Sequence, residues 1–68
     1  MRYAIVIGQA GSNVSADVPD LPGCIATASD VTSVEREIRE AIRFHIAGLQ
    51  ADGEPVPEPT SLAEYIDA

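Results

Sequence analysis

VPDLPGC, residues 18–24, lies between two runs that alternate like β-strands, and its two prolines and one glycine decide how the chain turns there. Pro19 has no N–H to give to a sheet ladder, so it closes the strand before it. Pro22-Gly23 suits the central pair of a type II turn. Proline presets φ near −65° at the first position, and glycine accepts the positive φ of the second. Upstream, NVSADV (13–18) puts Val14, Ala16 and Val18 on one side and Asn13, Ser15 and Asp17 on the other, the pattern of a half-buried strand. Downstream, Cys24 opens a third strand, CIATA. Leu21 is the large apolar residue at the centre of the bend, and a buried plug and an exposed contact are both open to it.

The first strand is RYAIVI, stopping near Gly8, with Tyr3, Ile5 and Ile7 on one face and Ala4 and Val6 on the other. Apolar residues on both faces place it in the middle of a sheet. QAGSN (9–13) has the composition of a turn. After ASD, residues Val31, Val34, Ile38, Ala41, Ile42, His45, Ile46 and Leu49 recur at spacings of three and four, one face of a helix. Thr32 with Glu35 spells a capping box, but Asp30 as N-cap keeps Val31 on the stripe and sets a carboxylate at the positive end of the dipole. Asp30 is the better cap. Gly53 fits the left-handed position that closes a helix, and EPVPEP (54–59) is an extended connector with a proline at every other position. SLAEYIDA is too short past Glu64 for a stable helix and reads as a last strand.

These elements predict one α+β domain over residues 1–68, β-β-β-α-β, with strands about 2–8, 13–18, 24–28 and 63–67 and a helix about 31–51. The last strand would pair parallel with the first, giving a four-stranded mixed sheet in the order 3-2-1-4 under a single helix. One sheet face would stay open, with Ala4, Val6 and Ile25 as a self-association surface.

Composition narrows the function. In so short a chain, an entropy cost on the order of 100 kcal/mol nearly cancels what apolar burial returns. The single cysteine excludes an internal disulfide, and one cysteine with one histidine gives no zinc ligand set. Association is the remaining source of stability, so a homodimer or higher homo-oligomer is expected. The net charge of −7, with four arginines and no lysine, repels phosphate backbones and suits a basic partner instead of nucleic acid. No leader and no run of ~20 apolar residues is present, so a cytoplasmic protein away from membranes is expected.

The segments VPDLPGCIAT, IREAIRFHIAGLQADGEPVPEP and SLAEYIDA, in that order and after MRYAIVI, resemble the short HicB-like antitoxins of bacterial toxin–antitoxin systems. The resemblance covers essentially the whole chain and implies a partial ribonuclease H fold. It also implies that the chain binds and neutralises a HicA-type toxin, a small basic protein that cleaves messenger RNA. An acidic antitoxin complements such a partner electrostatically. Fuller members continue into a DNA-binding domain; this chain, ending at Ala68, is expected to carry none. A stand-alone oligomeric binding or scaffold module is the alternative.

No enzyme is expected, and no cofactor. A ribonuclease-H-type nuclease needs a carboxylate cluster around two metal ions, whereas Asp17 and Asp20 are the only acids on the first three strands and flank a proline bend. On the helix, Arg36–Glu40 and Arg39–Arg43 are each four apart, but the second pair is of like charge, so only the first is favourable and the set reads as mostly a solvated face. His45 lies on the apolar stripe without an orienting acid and nucleophile beside it, and Cys24 after a tight turn reads as a packed residue. The candidates for binding a basic partner are Asp17, Asp20 and Leu21, with Glu54 and Glu58 on the connector.

Overall fold

The computed structural model of the chain describes all 68 residues. Three strands, β1 (Val6–Ala10), β2 (Asn13–Asp17) and β3 (Ile25–Ala28), precede one helix, α1 (Val31–Ala51). The strands form an antiparallel sheet in the order β1-β2-β3. The expected four-stranded mixed sheet in the order 3-2-1-4 is thereby corrected: residues 63–67 form no strand, and β1 is an edge. The reason is legible in the period. In a strand, Leu62, Glu64 and Ile66 would share one side and Ala63, Tyr65 and Asp67 the other, so neither side is consistently apolar. The segment does pass Ile5, Val6 and Ile7, leaving a shallow gap, but no backbone hydrogen bond bridges it.

β1 starts at Val6 instead of residue 2 because β2 leaves the ladder after Asp17, which stands opposite Val6. At its other end the strand runs through Gly8 to Ala10, since the turn needs only Gly11 and Ser12. Gly11, at φ 65°, is the first residue of a type II′ pair, the geometry that matches strand twist.

The bend is two turns in succession. Leu21 N–H donates to the Val18 carbonyl at 3.0 Å, and Cys24 N–H donates to the Leu21 carbonyl at 3.0 Å. Gly23 has φ 86°, as the second turn requires. Val18 N–H donates to the Cys24 carbonyl at 3.2 Å and locks the base. This geometry drives Leu21 inward, where it is 0% exposed. Val14, Ala16, Val18, Leu21 and Cys24 meet Val34 and Ile38 of α1, and these seven side chains are the buried core.

Asp30 caps α1: Ser33 N–H donates to Asp30 Oδ1 at 2.7 Å, so the capping-box alternative at Thr32 is not used. The far end closes on Gly53 at φ 69°, with Gly53 N–H on the Gln50 carbonyl and Glu54 N–H on the Leu49 carbonyl, a Schellman closure. A helix of 21 residues is about 31 Å long, whereas strands of four or five residues reach about 17 Å. The helix overhangs its sheet. Val34 and Ile38 are therefore buried, while Ile42, His45, Ile46 and Leu49 are only half-buried.

Candidate functional site

The register across the sheet sorts its two faces. Ile7, Ala16 and Ala26 form one cross-strand row, and Gln9, Val14 and Ala28 another. Val14 and Ala16 are buried in the core, so this face lies under α1. Val6, Asp17 and Ile25 are a row of the opposite face, because Asp17 is the partner of both neighbours. No helix covers that face. Val6 is 55% exposed and Ile25 67% exposed, on either side of the exposed Asp17 carboxylate. Two residues expected at a self-association surface and one expected at a partner surface thus form a single patch. Ala4, the third residue of the expected self-association set, is half-buried just outside the ladder.

The other partner candidates separate. Leu21 has no exposed surface and is the plug of the bend. Asp20 is engaged inside the molecule. Thr60 N–H and Ser61 N–H donate to its Oδ2 at 3.0 and 2.9 Å, and the Thr60 and Ser61 hydroxyls donate to Oδ1 at 3.2 and 2.7 Å. Four donors on one carboxylate tie the segment after the connector to the bend. The Ser61 amide, followed by its hydroxyl and by Thr60, holds the Asp20 carboxyl below its ordinary range. Tyr3 Oη adds a second strap by donating to the Pro57 carbonyl at 2.6 Å. Partial burial, with the nearby charges of Glu58 and Asp20, pushes the Tyr3 phenol up.

Sequence reasoning missed this clamp, although the signal was present. A Thr-Ser pair directly after a proline run brings two free amides and two hydroxyls, and an aspartate in a tight bend is a fixed acceptor for them. Glu54 and Glu58 are exposed on the connector, as Asp17 is on β2. Asp52, Glu54, Glu58, Glu64 and Asp67 make residues 44–68 wholly acidic, without an arginine or lysine.

The arginines lie elsewhere. The expected Arg36–Glu40 pair gives way to Arg43 Nη1–Glu40 Oε1 at 2.9 Å, both side chains well exposed. Arg2, Arg39 and Arg43 line a groove between the N-terminal segment and the overhanging half of α1. Cys24 is buried in the core, and that burial pushes its thiol up, away from the reactive thiolate. His45 makes no side-chain hydrogen bond. No group of three histidine, cysteine or acidic side chains is placed to hold a metal ion. No helix is long and apolar enough to cross a membrane.

Residues 3–68 match the family described as the HicB-like antitoxin of bacterial toxin–antitoxin systems. The chain is also 33% identical over 67 residues to an uncharacterised 14.9 kDa protein encoded in the rep–hol intergenic region of Haemophilus phage HP1. The alignment takes in 98% of this chain and 50% of that protein, so the chain spans about half the length of its curated relative. No solved structure matches. The chain belongs to the HicB-like antitoxin family.

Proposed function

We propose, from that membership, that the chain is the antitoxin half of a pair whose partner is a small basic HicA-type toxin, which it occludes without catalysis in the cytoplasm. The observation that carries this reading is the row Val6–Asp17–Ile25 on the uncovered sheet face. Two large apolar side chains around a carboxylate suit a partner that presents a cation within an apolar rim. Apolar contact holds such a complex, while unlike charge raises the rate of encounter. The net charge of −7 supplies the long-range part of that attraction. The chain also associates with itself, since seven buried side chains are a small core for 68 residues.

The test is the association rate with the small basic protein encoded beside this chain, measured across a salt series. The rate falls as salt rises, because the Debye length shrinks to about 3 Å at 1 M, and Asp17→Arg lowers it at low salt. A salt-insensitive rate removes the electrostatic reading. A chain that binds no basic neighbour is the stand-alone module instead.

A further inference from the structure

Between the N-terminal segment and α1 lies a groove of 580 Å³, whose apolar lining is Met1, Tyr3, Ile5, Ile38, Ile42 and Ile46. Three of the chain's four arginines, Arg2, Arg39 and Arg43, stand along it against a single acid, Glu35. In a chain of net charge −7 this is a concentration of positive charge. Only Arg43 has an ion-pair partner, and that pair is solvent-exposed. The groove thus calls for an occupant that is both apolar and acidic.

The chain itself carries such a segment. Leu62, Tyr65 and Ile66 are 84%, 100% and 86% exposed, and Glu64 and Asp67 lie among them. No hydrogen bond engages any residue of this segment. Its root is fixed, because Asp20 holds Thr60 and Ser61. From that root, residues 62–65 share a shallow gap with Ile5, Val6 and Ile7, and none of residues 62–65 lines the arginine groove. A segment that lines no part of its own groove is available to the groove of another copy.

We propose that residues 62–67 of one copy dock in the arginine-rimmed isoleucine groove of a second copy, reciprocally, as a two-fold dimer. The proposal rests on the reading that the chain associates with itself and names the surface that does so. Leu62, Tyr65 and Ile66 supply the apolar contact, and Glu64 and Asp67 meet Arg2 and Arg39. This leaves the Val6–Asp17–Ile25 face free, so dimerisation and capture of a basic partner use separate surfaces.

The experiment is a charge exchange read by sedimentation equilibrium on the full chain. One variant carries Arg2→Glu and Arg39→Glu, the other Glu64→Arg and Asp67→Arg. All four positions are exposed, and circular dichroism checks that each variant keeps its helix. The wild type is expected to be a dimer, each variant alone to dimerise at least about tenfold more weakly, and the equimolar mixture to recover a heterodimer in which both contacts are again of unlike charge. A wild type that is monomeric at every concentration overturns self-association itself. A dimer indifferent to both variants, or a mixture that stays dissociated, overturns this groove while leaving self-association standing.

Discussion

The bend at 18–24 and the segment at 54–68 are both spaced by prolines, and only one of them is architecture. In the bend, two turn hydrogen bonds and a left-handed Gly23 aim Leu21 into the core. In the C-terminal segment the prolines remove amide donors and bring no side chain into the buried core; Val56 is only half-buried, and Leu62, Tyr65 and Ile66 remain in solvent. What holds that segment is polar: four donors on Asp20 and one phenol on Pro57. Stiffness alone therefore does not build a fold. It does so where it delivers an apolar side chain to a place that water has left.

This contrast makes unequal predictions for the two regions. Leu21→Ala has the largest effect. Truncating a fully buried leucine costs about 2–5 kcal/mol, a large share of the roughly 5–15 kcal/mol typical of a whole domain. Urea unfolding is expected to show the midpoint falling sharply or the cooperative transition disappearing. Gly23→Ala comes next. Nothing lies within 4 Å of the added Cβ, so the cost is that of the left-handed backbone, roughly 1–2 kcal/mol. An unchanged urea midpoint would mean that the type II turn does not carry the bend.

Asp20→Asn acts on the other region alone. Its amide group brings donors to a site already crowded with donors. Hydrogen exchange at the Thr60 and Ser61 amides is expected to quicken on the order of tenfold, while the melting temperature of the sheet and helix barely moves. Loss of global stability in this variant would erase the distinction between the regions. Acid is the gentlest probe. The Asp20 carboxyl is held below its ordinary value of 3.8, so the clamp is complete above that pH and is lost only as pH falls through the lowered value. Amide shifts of Thr60 and Ser61 followed down from neutral pH should stay flat until below about 3.8. A midpoint above that would contradict the four-donor clamp.

How far the sequence could be read follows the same division. Local chemistry was legible where one residue type has one use. Asp30 before a helical stripe, Gly53 after it and Pro22-Gly23 between strands all sit in the geometry their side chains or φ demand. The apolar stripe of α1 was visible, but not that only Val34 and Ile38 would be buried, because that depends on how short the strands are. The fourth strand was misread. Apolar residues on both sides of RYAIVI suggested a central strand, yet β1 is an edge with Val6 exposed beside Ile25's face. The patch Val6–Asp17–Ile25 depends on register, which joins residues 19 positions apart and follows from turn lengths that composition only suggests. The arginine groove depends on an overhang that no single segment encodes.

The central proposal is that the uncovered sheet face binds a small basic RNA-cleaving toxin, and its most direct test is protection of RNA from such a toxin encoded beside this chain. Ile25→Arg leaves the core untouched, since the side chain is 67% exposed, and places a cation where a cationic partner would sit. The wild-type chain at equimolar ratio is expected to stop cleavage, and Ile25→Arg to require at least about tenfold more protein. Equal protection by both would place the contact elsewhere and contradict the account.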